Sequence, residues 1–247
     1  MRMTSRFIFY ILLILLTPQW VGAAERLLVG AAANYILPFK ELAAAFEKKT
    51  DINVKWTFTS SGNLYSQIAA GAPYDIFLSA DEQRPADLFR KNIAGKPFVY
   101  ATGRLVLWSA QKDACRSKTW QGALKSNMKK IAIPNPEVSP YGAEAYSVIK
   151  GTGLWELVKP QLVFAQDTSQ AFQYAVTGGA AIAFTSRSFT LSEQGKKGCY
   201  YMIEEAQLVR QAACILKKAR NRNAAEVFSA FLLSPEAVAI RMRYGYE

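Results

Sequence analysis

The chain has 247 residues, of which 51% are hydrophobic, enough for a packed core in one large domain or two small ones. Its formal net charge is +11, but the basic residues are scattered, so we expect a solvated basic surface and no nucleic-acid partner. The absence of histidine excludes Ser-His-Asp and Cys-His catalytic systems and histidine-ligated zinc.

The first 24 residues have the composition of a cleavable secretory signal. Arg2 and Arg6 give a basic start, an apolar run covers 7–16, and small residues occur within 21–24. The apolar run is shorter than the roughly 20 residues that a membrane span needs. We therefore predict cleavage near Ala24 and a periplasmic mature protein, with an uncleaved N-terminal anchor as the alternative.

After this signal, strand and helix patterns alternate along the first half of the chain. Predicted strands lie at 27–31, 52–58 and 76–78, and predicted helices at 37–46, near 64–68 and near 85–91. This order is typical of an open, mainly parallel sheet that is covered by helices.

The second half of the chain repeats the pattern and then returns to the first unit. Strands are predicted at 105–108, 131–133, 162–165, 181–184 and 210–216, and helices at 143–150, 169–176, 224–233 and 235–242. We predict an α/β protein of two lobes, each a mixed, mainly parallel sheet flanked by helices, with a ligand cleft between them. Residues 25–106 and 213–247 would form the first lobe and residues 107–212 the second.

Four predicted strand-to-helix junctions carry small or hydroxyl residues. They are Ala33-Asn34, Thr59–Asn63, Ser139–Gly142 and Asp167–Ser169. The first N–H groups of a helix lack intrahelical partners and lie at the positive end of its dipole, so they bind anions without a full positive charge. Ordinary N-capping is the alternative, because Ser, Thr and Asn cap helices in any fold.

The three cysteines are Cys115, Cys199 and Cys214, and none has the spacing of a metal ligand. Export permits a disulfide, and the odd count leaves at least one thiol unpaired within the chain. We expect Cys199–Cys214 as the first pair to test, with three free thiols as the alternative. No phosphate-binding loop or dinucleotide-binding glycine motif is present, so no motif places an enzyme site.

Three stretches and the chain end carry a more specific pattern. The stretches are VGAAANYILPFKELAAAFEKKT at 29–50, FTSSGNLYSQIAAGAPYDIFLSAD at 58–81 and PNPEVSPYGAEA at 134–145, and the chain ends in RYGYE. Together they resemble the periplasmic molybdate-binding proteins of ABC transporters, in the branch that has Asn and Tyr in its site. The resemblance covers nearly all of the mature chain.

The resemblance implies a two-lobed (type II) periplasmic binding protein that holds a tetrahedral oxyanion, molybdate or tungstate, for the membrane permease of an ABC importer. It implies a monomer with no cofactor and no metal apart from that of the bound oxyanion. The implied ligand residues are Asn34 and Ser61 in the first lobe and Tyr141 and Thr168 in the second, with Ala33 and Ser60 as additional candidates.

Three positions depart from the family pattern. Ala33 stands where a hydroxyl residue can occur, Thr168 where Val or Ile is usual and a backbone N–H is expected to bind, and Phe184 where other members use a Tyr ligand. These departures leave the donor count and the preferred oxyanion open. The alternatives are sulfate or phosphate binding by the same fold, an exported serine- or carboxylate-based enzyme, and an interaction protein without a ligand.

Overall fold

The computed structural model describes residues 26–126 and 130–247, which form two lobes around two five-stranded sheets. The predicted signal and its cleavage site near Ala24 lie outside these residues. In the two described ranges, no helix is both long and apolar enough to span a bilayer.

The described residues contain every predicted strand and helix, and also two strands and three short helices that the sequence pattern did not predict. The strands are β1 (Arg26–Ala32), β2 (Asn53–Thr59), β3 (Ile76–Leu78), β4 (Phe98–Gly103), β5 (Leu105–Ser109), β6 (Ile131–Pro134), β7 (Leu162–Ala165), β8 (Ile182–Ser186), β9 (Cys199–Met202) and β10 (Val209–Ile215). The helices are α1 (Ile36–Thr50), α2 (Ser61–Ala69), α3 (Gln83–Arg90), α4 (Trp120–Lys125), α5 (Pro140–Gly151), α6 (Trp155–Val158), α7 (Thr168–Val176), α8 (Arg187–Thr190), α9 (Arg222–Leu232) and α10 (Pro235–Arg243).

The first lobe is built on a sheet of order β2-β1-β3-β10-β4. Strands β2 and β3 pair with β1 in parallel, whereas β10 pairs with β3 and β4 in antiparallel fashion. In α1, Phe39, Leu42 and Phe46 recur at helical spacing and are fully buried in the core beside Phe228 of α9. This apolar stripe attaches α1 to the sheet.

The second lobe has the sheet order β7-β6-β8-β5-β9. Strands β7 and β8 are parallel to β6, while β5 runs antiparallel to β8 and β9. Trp108 of β5 packs on Phe172 of α7, with 4.5 Å between the ring centroids. Two mixed sheets flanked by helices confirm the predicted fold class.

The chain crosses between the lobes at two places. It leaves the first sheet at Gly103, the end of β4, and enters the second with Leu105 of β5. It returns between β9 and β10, which begins at Val209. Residues 105–106 therefore belong to the second sheet and residues 209–212 to the first, which corrects both predicted lobe boundaries. The apolar pattern of these strands does not mark the point at which the chain changes sheets.

The cysteines pair differently from the expectation. The disulfide joins Cys115 to Cys199 at the edge of the second sheet, with 6.2 Å between their Cα atoms. Cys214 is a buried free thiol on β10 of the first sheet. The expected Cys199–Cys214 pair was wrong, because the two residues lie in different lobes despite their proximity in sequence.

Candidate anion-binding site

Two of the predicted ligand residues follow neighbouring strands of the first sheet. Strands β1 and β2 are parallel and in register up to Ala32 and Thr59. Asn34 lies in a short 3-10 turn directly after β1, and Ser61 is the first residue of α2 after β2. Because parallel strands end at the same edge of a sheet, Asn34 and Ser61 share that edge.

The second lobe repeats this arrangement. Strands β6 and β7 are parallel and in register at Pro134 and Ala165. Tyr141 lies in the first turn of α5, which follows β6, and Thr168 begins α7, which follows β7. Both residues therefore lie at the carboxyl edge of the second sheet.

The two carboxyl edges contact each other across the cleft. The Gly62 N–H of α2 donates to the Val138 carbonyl oxygen of the second lobe at 2.8 Å. Gln211 of β10 places its Nε2 atom 3.4 Å from the Tyr141 hydroxyl oxygen. The four ligand candidates are almost fully buried between the lobes, with exposed fractions of 1% for Asn34, 1% for Ser61, 0% for Tyr141 and 3% for Thr168.

Each of the three helices at the cleft has a capped first turn. The caps are Ser60 Oγ with the Asn63 N–H at 3.3 Å, Ser139 Oγ with the Gly142 N–H at 3.4 Å, and Asp167 Oδ1 with the Gln170 N–H at 2.9 Å. In the same first turns, the backbone N–H groups of Ser61, Tyr141 and Thr168 have no hydrogen-bond partner within the described ranges. Buried N–H groups of this kind are ready to bind an anion.

The two serines of α2 differ in what their side chains do. Ser60 is the N-cap, so the capping alternative accounts for its side chain. Ser61 Oγ accepts the Ala80 N–H at 2.9 Å, which leaves the Ser61 hydroxyl proton to be donated. Ala33, the other additional candidate, is buried beside Asn34 and offers no side-chain donor.

Asn34 lies close to Tyr141, but its side-chain amide already donates hydrogen bonds within the protein. Its Nδ2 atom donates to Gln211 Oε1 at 2.9 Å and to the Tyr246 hydroxyl at 3.1 Å. These bonds use both side-chain hydrogens of Asn34. The donor that Asn34 retains for a ligand is its backbone N–H, whereas the sequence pattern alone suggested the residue as a whole.

Thr168 and Phe184 also have defined environments. The Thr168 carbonyl oxygen accepts a hydrogen bond from the Thr185 hydroxyl at 3.2 Å. The Thr168 N–H belongs to the first residue of α7. Phe184 is fully buried in the core of the second lobe, where its ring centroid lies 6.3 Å from that of Trp120. Phe184 therefore acts as a core residue.

Sequence reasoning missed Gln211 and Tyr246, which join the two lobes at the site. Gln211 is the one fully buried polar residue of β10, whose strand VRQAACI is otherwise apolar apart from an exposed arginine. That isolated polar residue was a usable signal. Tyr246 lies in the terminal RYGYE, but no spacing in the sequence shows that it folds back onto Asn34.

None of the four candidate ligand residues carries a formal charge. Burial is the main cause that raises the pKa of Tyr141 well above its ordinary value, and the neighbouring Tyr246 adds to this effect. The phenol therefore keeps its proton. Burial also raises the pKa of Asp167, although the N–H groups at the start of α7 oppose this. The fully buried Asp75 lies before β3, at the opposite end of the sheet.

Comparison with known proteins finds relatives among bacterial solute-binding proteins. The family of bacterial extracellular solute-binding proteins matches residues 27–247. The molybdate-binding protein ModA of Rhodobacter capsulatus is 38% identical over 229 residues, which cover 91% of this chain and 89% of that protein. ModA of Azotobacter vinelandii is 36% identical over 230 residues, 90% of each chain. The solved periplasmic molybdate-binding protein of Azotobacter vinelandii has a TM-score of 0.85 at 32% identity, covering 90% of this chain and 98% of that one.

Proposed function

Since the chain belongs to the bacterial extracellular solute-binding proteins, and its relatives include molybdate-binding proteins, we propose that it captures molybdate for an ABC importer. Its close relatives are binding proteins and not enzymes, as the lack of a catalytic motif predicted. Tungstate is the second ligand that we propose, because it has the same charge and tetrahedral shape.

The main support comes from the N–H groups of Ser61, Tyr141 and Thr168, which lie at the cleft on both lobes and have no hydrogen-bond partner in the described part of the chain. The hydroxyls of Ser61 and Tyr141 add two further donors. With the backbone N–H that Asn34 retains, six hydrogen bonds to a charged ligand contribute roughly 9–18 kcal/mol, at about 1.5–3 kcal/mol each. After ordering and desolvation costs are subtracted, this range is compatible with micromolar or tighter binding.

The neutral donors also bear on which anion the protein selects. Phosphate near neutral pH usually carries a proton, which needs an acceptor, and a buried hydroxyl without one costs about 1–3 kcal/mol. Molybdate, tungstate and sulfate are fully ionised there. We therefore expect all three to bind more tightly than phosphate, and the relatives favour the larger anions over sulfate.

Competition calorimetry with the purified mature protein at fixed ionic strength tests this selectivity. The expected order is molybdate and tungstate first, then sulfate, then phosphate. Phosphate binding as tightly as molybdate would contradict a site of donors only. Sulfate binding more tightly than molybdate would leave the donor site intact but contradict the proposed substrate, and turnover of any substrate would favour an enzyme.

The signal-like N-terminal sequence supports a periplasmic location for this function. The mature protein is a periplasmic monomer that begins after Ala24 and delivers its anion to a membrane permease. N-terminal sequencing of the exported protein and its mass in solution test the cleavage site and the monomer. A mature protein that retains residues 1–24 would instead favour an N-terminal anchor.

A further inference from the structure

The hydroxyl of Tyr246 has a defined direction of hydrogen bonding. It lies 2.6 Å from the backbone carbonyl oxygen of Asn34, and because a carbonyl only accepts, Tyr246 donates its single proton there. The Tyr246 oxygen then only accepts from its other neighbours. These are Asn34 Nδ2 at 3.1 Å and Ser186 Oγ at 3.2 Å.

The direction of this hydrogen bond determines how the side-chain amide of Asn34 is oriented. Asn34 has to present its NH2 group, and not its Oδ1 atom, to the accepting oxygen of Tyr246. The same NH2 group lies 2.9 Å from Gln211, which therefore presents its Oε1 atom. In the reversed orientation of Gln211, two NH2 groups would face each other, each with a donor and no acceptor.

The orientation of Gln211 in turn determines which hydrogen bond the Tyr141 hydroxyl accepts. With Oε1 facing Asn34, its Nε2 atom faces the Tyr141 hydroxyl at 3.4 Å and donates to it. The Tyr141 proton is not used in this bond and remains to be donated, to a bound anion or, without one, to the neighbouring Ser186 hydroxyl. Tyr246 is not an available acceptor, because its oxygen already accepts two hydrogen bonds.

All residues of this hydrogen-bond chain are buried, so water does not compete for their donors and acceptors. Gln211 and Tyr141 are 0% exposed, Asn34 and Ser186 are 1% exposed, and Tyr246 is 2% exposed. The Tyr141 hydroxyl is also confined by Gly103 at the end of β4, where a Cβ atom would overlap it. Both its position and its donor direction are therefore set before a ligand arrives.

We infer that Gln211 is a positioning residue that holds the Tyr141 hydroxyl as a hydrogen-bond donor to the bound oxyanion. The inference rests on the proposed function, in which Tyr141 lines the site, but Gln211 itself need not touch the anion. A preoriented donor does not have to be reordered on binding, so affinity gains from the hydrogen-bond chain. A site arranged in this way also offers no acceptor at Tyr141 to a protonated anion.

A double-mutant cycle tests whether Gln211 acts through the Tyr141 hydroxyl. The wild type, Gln211→Met, Tyr141→Phe and the double variant are titrated with molybdate by calorimetry, after circular dichroism has shown that each is folded. We expect Gln211→Met to raise Kd about tenfold when Tyr141 is present, the size of one lost hydrogen bond. In the Tyr141→Phe background, which has no hydroxyl to direct, it should change Kd by less than about twofold.

Tyr100→Phe is the matched control. The Tyr100 hydroxyl lies 3.1 Å from the same Gln211 Oε1 atom, and its residue is equally buried, but its loss leaves the Asn34–Gln211–Tyr141 direction unchanged. We expect Tyr100→Phe to keep Kd within about twofold of the wild type. If Gln211→Met does not fold, Gln211→Asn takes its place, since its shorter amide does not reach Tyr141.

The outcomes separate this inference from the proposed function. A wild type that binds neither molybdate nor another oxyanion overturns both. A wild type that binds, with Gln211→Met (or Asn) weakening binding equally with and without the Tyr141 hydroxyl, overturns the inference alone. Tyr100→Phe weakening binding as much as Gln211→Met would also overturn it, because the loss would then reflect the packing of Gln211.

Discussion

At the scale of single residues, neighbouring side chains of the same type have different roles. Ser60 caps α2, whereas the Ser61 hydroxyl accepts the Ala80 N–H and keeps its own proton to donate. Ser61→Ala should weaken molybdate binding roughly 10- to 150-fold, since a hydrogen bond to a charged ligand contributes about 1.5–3 kcal/mol. Calorimetry gives the affinity directly.

Ser60→Ala is the control for this substitution. Loss of the cap should lower the free energy of unfolding by about 0.5–2 kcal/mol while leaving the molybdate affinity near that of the wild type. Equal affinities for the wild type and Ser61→Ala would count against Ser61 as a ligand. A similar loss of affinity in Ser60→Ala would indicate that the start of α2 acts only through its structure.

The phenol of Tyr141 makes a prediction about pH. Deprotonation would remove a donor and place a negative charge beside the anion, so binding would weaken as the pH rises through the pKa of Tyr141. Burial raises that pKa well above its ordinary value, and the chain has no histidine. Molybdate affinity should therefore stay constant between about pH 7 and 9. A titration midpoint in calorimetric affinities within this range would contradict a buried phenol donor.

At the scale of elements, helix starts were easier to predict than strand order. Ser and Asp caps mark the starts of helices by local chemistry. Helices α2, α5 and α7 begin inside the predicted junctions, one to three residues before the predicted helices. The strands β4 and β9 were missed, and each lies at the edge of its sheet. Their short apolar runs, FVYA and CYYM, do not alternate with polar residues, so they lack the two-residue period that predicted the edge strand β2.

The disulfide ties two elements of the second lobe, the 3-10 turn that ends at Cys115 and strand β9, which begins at Cys199. Cys199 pairs with Ser109 at the end of β5, whereas the cleft lies at the other end, near Leu105. The double substitution Cys115→Ala, Cys199→Ala should lower stability by about 2–5 kcal/mol because it releases a long loop.

The same variant should bind molybdate as the wild type does, because the bridge lies away from the cleft. Chemical denaturation and calorimetry on the same preparation separate the two effects. Cys214→Ala serves as a comparison, since it leaves the bridge in place. A large loss of affinity without the bridge would indicate that the second lobe transmits strain to Tyr141 and Thr168.

At the scale of the whole molecule, backbone groups form part of the contact between the two lobes. Besides the bond from the Gly62 N–H to the Val138 carbonyl oxygen, Arg84 donates to the Glu137 carbonyl oxygen at 3.2 Å. A Cβ atom at Gly62 would lie 2.8 Å from Val138 Cα, closer than real Cβ contacts come. Close approach of the lobes therefore depends on the absence of a side chain at residue 62.

Gly62→Ala should hold the lobes apart. We expect weaker molybdate binding, by roughly 5- to 150-fold, since overpacking costs about 1–3 kcal/mol. The ligand-free protein should be as stable as the wild type or more so, because alanine favours a helix. Small-angle scattering should show a smaller radius of gyration with saturating molybdate for the wild type, and a smaller change for Gly62→Ala.

Gly151→Ala at the end of α5 is the control, since a Cβ atom there meets nothing within 4 Å. It should bind and close as the wild type does. A wild-type scattering profile that does not change on confirmed binding would contradict closure. Wild-type affinity in Gly62→Ala would show that the contact with Val138 is not needed for binding.

The sequence by itself predicted the main alternation of strands and helices, hence the fold class, and the polar strand-to-helix junctions; Ser61, Tyr141 and Thr168 were selected within these junctions by the family resemblance. These features depend on local periodicity and on backbone groups near each residue. Only the tertiary structure decided the Cys115–Cys199 pair, the lobe crossings and the approach of Gln211 and Tyr246 to Asn34. Those contacts join residues far apart in the chain, and no local pattern records which distant group will satisfy a buried donor or acceptor.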